Sequence, residues 1–480
     1  MKIRDVLFFV WGVIAILGII MLLFPKDGIK ITDNFILYFP TFEEMFYTSK
    51  NDNDIPKIEK QQNIDELIDE NKEFDIEEIK SKITPLEFPE NNPHALDRFF
   101  AKLENETQTG KVRIMHYGDS QIEGDRITAY LRNRLQSKFG GFGCGMLSPI
   151  TIYAQFSIKQ IASENWMRFS GFGYSNYTAS HNSYGPMISF CRYSYPVDTP
   201  FLTPSQPYKA WVEFFESELA YSNTKKFREI QIIYGNANTK TQLIIKSNNE
   251  IIKTDSLNSG AGPYLYNYVH SDYLNRIRFE FESYDSPDIY GISLEDQTGV
   301  VVDNIALRGS SGTVFTTTNT ELLANSFNLL GVDLFILQFG GNSVPGLPDK
   351  KSAENFANYF YYQIAFLKNI MPDACFIVIG PSDMAYKEKD AYISYPNLEN
   401  IINELKKATH RAGGVYWDLY KAMGGKNSMI AWVNANPPLA APDFIHFTPQ
   451  GAQIAANMLY SAIFLEYTNY KNQQNKSAQK

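Results

Sequence analysis

Val112-Arg113-Ile114-Met115-His116-Tyr117-Gly118-Asp119-Ser120-Gln121 is an apolar run that stops at a glycine and hands over to a helical pattern. Val112 to Met115 reads as a buried strand ending at Gly118, and residues 121–138 read as the helix that follows. In an open parallel sheet, reactive groups gather at the carboxyl ends of the strands. Ser120 falls at that place, at an expected helix start, where outward-facing N–H groups favour developing negative charge. Far downstream, Asp443 and His446 stand three residues apart just before the last helical pattern. The three residues are the side-chain types of a nucleophile, its base and the carboxylate that orients the base.

The strand–helix alternation resumes after a long interruption. Val300 to Leu307, Leu334 to Phe339, Cys375 to Ile379 and Val415 to Leu419 read as strands. Helical patterns follow near 314–329, 352–370, 397–411 and 449–467. Five strands alternating with helices predict an α/β fold with a doubly wound parallel sheet, flavodoxin-like in kind. The interruption has a different texture. Residues 150–295 are rich in Tyr, Phe, Ser, Asn and Thr, with short alternating runs such as Glu229-Ile230-Gln231-Ile232-Ile233-Tyr234 and Arg276-Ile277-Arg278-Phe279-Glu280-Phe281. That pattern predicts an inserted antiparallel β-sandwich over 150–299.

Charge and composition narrow the classes. The net charge is −9, and residues 51–91 hold 5 Lys and no Arg against 13 Asp and Glu, so one segment carries nearly all of the excess. The remainder is close to neutral and lacks the basic footprint of a nucleic-acid binder. The three cysteines, Cys144, Cys191 and Cys375, make neither a disulfide framework nor a zinc spacing. The glycine-dense stretch 140–145 has no Lys-Ser/Thr after it, so it reads as a hinge and not a phosphate loop.

At the amino end, Val6 to Phe24 has no charged residue and is long enough to cross a bilayer. Lys2 and Arg4 precede it, and no convincing cleavage site follows. The expected layout is therefore a membrane anchor over 1–30 and an acidic spacer over 31–95. A catalytic part follows over 96–149 and 300–470, interrupted by the sandwich. The membrane is the expected partner of the anchor. The expected location is the cytoplasmic membrane, single-pass, with the catalytic part on its outer side, periplasmic or cell-surface.

Four segments fall at expected strand ends: Gly118-Asp119-Ser120, Arg308-Gly309-Ser310-Ser311-Gly312, Gly340-Gly341-Asn342, and Asp443-Phe444-Ile445-His446. Together they resemble the four blocks of the SGNH (GDSL-like) hydrolase family. The likeness is closer to the peptidoglycan O-acetylesterase branch, on His116, Met423-Gly424-Gly425, Trp432 and the run from Asp443 to Gly451. The resemblance implies a serine ester hydrolase, an acetylesterase, with catalytic Ser120, His446 and Asp443. It implies an oxyanion hole from the Ser120 N–H, Gly312 and Asn342, with Asp119 and His116 in support. It implies no metal and no organic cofactor. The implied substrate is an acetylated polysaccharide, and in that branch a β-rich insertion is a carbohydrate-binding module. Ser343 departs from the pattern, which has Asp there.

Two other readings stay open. A polysaccharide O-acetyltransferase would use the same residues with a sugar hydroxyl in place of water. A membrane-tethered glycan-binding protein would use the fold without chemistry. In the insertion, Tyr174, Tyr177 and Tyr184 are candidate sugar-stacking residues. Swapping the insertion for a linker is expected to spare a small aryl acetate more than a polymer.

Overall fold

Lys111–Gly118 is the central strand, β1, and its residues from Val112 onward are buried. A parallel strand covered on both faces needs this near-continuous apolar run. The other parallel strands are β2 (Gly299–Ala306), β3 (Val332–Gln338), β4 (Cys375–Ile379) and β5 (Val415–Trp417). Their order is β2-β1-β3-β4-β5, the doubly wound order whose switch point lies between β1 and β3. In register, Gly118 faces Ala306 on one side and Gln338 on the other. The computed structural model describes residues 83–173, 175, 177–195 and 204–478, with Trp11, Gly12, Gly18, Ile19, Pro25, 29–32 and 35–37 near the amino end.

The principal helices are α1 (Asp97–Asn105), α2 (Thr128–Phe139), α3 (Thr320–Leu330), α4 (Lys350–Ile370), α5 (Leu398–Arg411) and α6 (Pro449–Ala478). One expected helix is corrected. Residues 121–138 do not form a single helix from the serine onward. Ser120–Asp125 is a short 3₁₀ stretch, broken where Gly124 takes φ 68° and Asp125 φ 70°, and α2 starts only at Thr128. Left-handed backbone cannot continue a right-handed helix. Ser120 therefore does not sit at an α-helix amino end, and the helix-dipole argument does not apply to it.

Between α2 and β2 the chain builds two antiparallel sheets. One has the strand order 250–257, 241–247, 276–283, 208–216, 158–162. The other has 264–274, 227–235, 288–295, 189–192, 167–170, with Gly145–Leu147 paired to 288–295. Val212, Phe214, Leu243, Ile245 and Phe279 of the first share a core with Ile230, Ile232, Ile292 and Leu294 of the second. The second sheet also faces the parallel sheet. Its Met146, Phe169, Phe190, Ile233 and Tyr290 join one core with Tyr117, Phe315 and Phe335.

A buried ion network crosses the same boundary. Arg113 of β1 donates Nη1 to both carboxylate oxygens of Asp303 at 3.0 and 2.8 Å. Its Nη2 pairs with Glu295, and its Nε donates to Leu330 O at 3.0 Å. Burial would lower this guanidinium's pKa, but Asp303 and Glu295 outweigh burial and hold it above its ordinary value.

Within the segment expected as spacer, residues from Thr84 onward pack against β5. Glu87 and Tyr416 exchange backbone hydrogen bonds at 2.7 and 2.9 Å, Trp417 Nε1 donates to Thr84 O at 3.1 Å, and Leu86 is buried. A second, small unit groups the described residues near the amino end with Tyr386–Ile393. In it Ile29–Thr32 pairs antiparallel with Phe35–Leu37. The apolar run Val6–Phe24 lies almost wholly outside the described residues, as does 51–82 of the acidic segment. Among the described residues, no helix is long and apolar enough to cross a membrane.

Candidate active site

The switch point between β1 and β3 brings the predicted residues together. Gly118 closes β1 where a Cβ would meet Ile122 Cδ1 at 2.9 Å and Gln338 O at 3.0 Å, so the chain turns there only without a side chain. Asp119 accepts the Gln121 N–H at 2.9 Å and fixes the turn that carries Ser120. Burial pushes the Asp119 carboxyl up to about 6, against the Gln121 N–H, the charge of His446 and the Asn342 amide.

Ser120 Oγ donates to His446 Nε2 at 2.8 Å. The opposite ring nitrogen, Nδ1, donates to Asp443 Oδ2 at 2.7 Å. Asp443 Oδ1 accepts the backbone N–H groups of Ile445 and His446, both at 3.0 Å. Burial alone would raise the Asp443 carboxyl, but the hydrogen bonds from the His446 backbone and ring and from Ile445 hold it below its ordinary value. The turn is tight, with Phe444 at φ 57°. A hydroxyl, an imidazole and a carboxylate in one chain of hydrogen bonds are the geometry for activating an oxygen nucleophile.

The residues expected to form an oxyanion hole are placed in part differently from expectation. Asn342 lines the cleft, and its Nδ2 donates to Asp119 Oδ2 and Ser310 O, both at 3.1 Å. Gly312 is a correction. Its N–H donates to Ser310 Oγ at 3.1 Å, and a Cβ there would meet Phe360 at 2.6 Å and Phe339 at 2.8 Å. It is wedged in the core and does not line the cleft. Gly309, three residues earlier, does line it, at φ 80° with open space around its Cα. Ser343, where the family pattern has Asp, donates to Ser311 Oγ at 2.7 Å and ties two of the loops together.

His116 stands beneath the site and does not touch Ser120. Its Nε2 lies 3.1 Å from Gln338 Oε1 and its Nδ1 2.9 Å from Thr128 Oγ1, whose single proton goes to Asn304 Oδ1 at 2.6 Å. Burial pushes its pKa down to about 3, so it is a neutral support for Gln338, which lines the cleft. Among the described residues no cluster of His, Cys, Asp and Glu could hold a metal ion.

The cleft is about 920 Å³. One wall is Pro345, Pro381, Met384 and Leu419 from the parallel-sheet loops. The other comes from the insertion, with Tyr153, Ala154, Gln155, Phe156 and Leu219. At the rim, Arg308 donates Nε to Glu123 at 2.6 Å while its guanidinium lies 4.3 Å from the Tyr153 ring centroid. Of the aromatics singled out from sequence, Tyr177 and Tyr184 pack against the shared core, and Tyr174 lies outside the described residues. Among the described residues, Tyr153 is the insertion tyrosine that reaches the cleft.

Sequence reasoning missed Gln121 and Arg126. Gln121 Nε2 donates to Ile445 O at 2.6 Å, and Gln121 Oε1 accepts the Phe447 N–H at 3.4 Å. Arg126 donates to the carbonyls of Ser120, Glu123 and Phe447. The one available signal was their position, one and six residues after the serine.

No protein-family model and no curated protein sequence matches the chain. Solved structures do. A peptidoglycan O-acetylesterase matches with a TM-score of 0.60 and 18% identity, over 80% of this chain and 99% of that one. A family two carbohydrate esterase from Cellvibrio japonicus matches at 9% identity over 65% of this chain and 99% of its own, with a TM-score of 0.25. An acetyl xylan esterase matches at 15% identity over 34% and 81%, with a TM-score of 0.26. Likenesses this slight carry no argument, and even the first speaks for the fold alone, because one fold serves many chemistries. The chain shares the fold of that peptidoglycan O-acetylesterase.

Proposed function

We propose that this protein is a serine carboxylic ester hydrolase that removes O-acetyl groups from a polysaccharide, with cell-wall glycan as the favoured substrate. The observation that carries the reading is the relay Ser120–His446–Asp443, at 2.8 and 2.7 Å, opening on the cleft. The likeness of fold to a peptidoglycan O-acetylesterase supports the choice of substrate.

The steps follow from the geometry. Ser120 Oγ attacks the acetyl carbonyl as its proton passes to His446 Nε2. Asp443 holds the ring in the required tautomer and stabilises its charged form. The tetrahedral oxyanion is bound by the N–H groups of Ser120 and Gly309 and by the Asn342 amide. That amide gives up Ser310 O for the oxyanion, since a charged acceptor is the stronger partner. Gly309 replaces Gly312 in this set because Gly309 lines the cleft and Gly312 is packed against Phe339 and Phe360. His446 then protonates the departing sugar oxygen. Water, activated by the same ring, releases acetate.

We further infer that the antiparallel insertion is a β-sandwich of the carbohydrate-binding kind, with Tyr153 and Leu219 as its contribution to the cleft. Val6–Phe24 serves as an uncleaved anchor that places the enzyme outside the cytoplasmic membrane, with the acidic segment as spacer. Amino-terminal sequencing of the membrane fraction tests the anchor, and a new terminus near residue 25 would overturn it.

The test of activity uses the full chain in detergent. Acetate release is measured from O-acetylated peptidoglycan, acetyl xylan and p-nitrophenyl acetate, beside labelling by a fluorophosphonate. Release and Ser120-dependent labelling are expected. No release from any substrate and no labelling would overturn the reading. Acetyl transfer to added glycan in excess of release to water would favour a transferase.

A further inference from the structure

Ser120 and His446 come from segments more than three hundred residues apart, yet their hydrogen bond demands placement to a few tenths of an ångström. The turn after the serine supplies the means. Gln121 is buried, and its primary amide pairs with the main chain on both sides of His446, donating to Ile445 O at 2.6 Å and accepting from Phe447 N at 3.4 Å. Arg126 repeats the connection with a cation. Its Nη2 donates to Ser120 O, its Nε to Glu123 O at 3.0 Å and its Nη1 to Phe447 O at 3.2 Å. The carbonyl of the nucleophile and the carbonyl next to the base thus share one guanidinium. Burial lowers its pKa, and its direct partners are three neutral carbonyls.

We propose that Gln121 and Arg126 are positioning residues, a double clamp that sets the distance and angle between Ser120 Oγ and His446 Nε2. The inference rests on the esterase reading above. Neither side chain makes or breaks a bond in the reaction. Their contribution is to the fraction of time the nucleophile and base are aligned. A misplacement of about 1 Å costs on the order of 100-fold in rate. The planar fork of Arg126 spans three acceptors at once, which a lysine ammonium on a flexible stem does not do.

The test uses the full chain in detergent, with p-nitrophenyl acetate as substrate and a fluorophosphonate as a second reporter. Arg126→Lys, Arg126→Ala and Gln121→Leu are compared with the unaltered protein. Each is expected to lose roughly 100-fold in kcat with KM changed less than about twofold, and to slow labelling of Ser120 in parallel. Added guanidinium at low, non-denaturing concentration is expected to restore at least about tenfold of kcat to Arg126→Ala and nothing to Gln121→Leu. A lesion that merely loosens the fold would move the melting temperature and would not be rescued. If Arg126→Ala proves insoluble, Arg126→Lys, which keeps the charge and stem, decides by the same split of kcat from KM. Folded variants with kcat within twofold of the unaltered protein would overturn the proposal, and so would a folded Arg126→Ala that guanidinium does not rescue. An unaltered protein that neither turns over nor labels would instead overturn the esterase reading.

Discussion

Phe156 donates its backbone N–H to the carbonyl of Gly124 at 2.8 Å. The first residue belongs to the insertion and the second to the turn that carries Ser120. The next residue repeats the contact, because Ser157 Oγ donates to Asp125, which also pairs with Arg132 at 2.8 Å. Asp125 holds φ 70°, a conformation that a non-glycine residue keeps only when its surroundings enforce it. The insertion is therefore part of the scaffold of the turn that carries Ser120.

This relationship reverses the expectation that the insertion can be exchanged for a linker at little cost to a small substrate. Removing residues 150–295 would strip Phe156 and Ser157 from the turn, leave Arg113 without Glu295, and expose the core residues that face Tyr117 and Phe315. The expected outcome is loss of soluble protein, or equal loss of at least about 100-fold on p-nitrophenyl acetate and on polymer. The milder Ser157→Ala removes one bond to Asp125 and should cost about 1–3 kcal/mol of stability. Comparing kcat on both substrates with urea unfolding checks both. A deletion variant that hydrolyses the aryl acetate at the normal rate would refute the scaffold role.

The triad itself gives a graded expectation. Ser120→Ala and His446→Ala should each reduce kcat by about 10⁶-fold with an unchanged melting temperature. The Asp443 side chain is 46% exposed and its charge is partly screened by water. Asp443→Asn should therefore cost about 10³-fold, short of the roughly 10⁴-fold expected where the carboxylate is buried. Steady-state kinetics on p-nitrophenyl acetate, with circular dichroism as the folding control, measures the series. Near-normal turnover by a folded Ser120→Ala would remove the nucleophile assignment.

What the sequence made legible follows from the kind of signal each residue carries. β1 was readable because a parallel strand buried on both faces is apolar almost throughout, and Gly118 marks its end. Asp443 and His446 were readable because the turn between them fixes their spacing. Which glycine lines the cleft was not, because Gly309 and Gly312 flank the same two serines and spacing does not separate them. In the structure Gly309 lines the cleft and the Gly312 N–H donates to Ser310 Oγ. Gln121 and Arg126 looked like the polar face of an ordinary helix. Only the break at Gly124 and Asp125, and the approach of the distant His446 loop, give them a purpose. The insertion's runs showed strands and not their packing. Asp288–Glu295 is buried on both faces, so alternation could not reveal that its sheet serves two cores.

Arg113 tests how tightly the two parts are joined. It is buried, and its partners Glu295 and Asp303 are buried with it. Arg113→Met would leave Asp303 without its cation and Glu295 with Lys111 alone, and removing one side of a buried ion network costs about 3–5 kcal/mol. Urea unfolding should show this loss, and Asp303→Asn made in the Arg113→Met background should recover part of it by removing the uncompensated charge. Equal stability of Arg113→Met and the unaltered protein would mean that the network adds nothing to the joint.

Asp383 lies after β4 beside the cleft residues Ser382 and Met384, and it yields an expectation that depends on pH. Its Oδ2 accepts the Met429 N–H at 2.8 Å, while Oδ1 is buried without a hydrogen-bond partner among the described residues. Burial pushes its carboxyl up to about 6 from an ordinary 3.8. The sign follows from proton binding. Between about pH 4 and pH 6 the folded state holds a proton that the unfolded state has released, so stability falls as pH rises through this window. Above about pH 6 the charged, buried carboxylate costs the fold up to roughly 3 kcal/mol, from a shift of about two units. Asp383→Asn keeps an oxygen for Met429 and removes the charge. It should be no more stable than the unaltered protein below about pH 4, gain progressively to about pH 6, and hold its full advantage at pH 8. Urea unfolding of both proteins at pH 4.5, 6 and 8 gives the answer. A variant that is destabilised at pH 8, or whose gain is the same at every pH, would show that Asp383 is charged and satisfied in the folded protein.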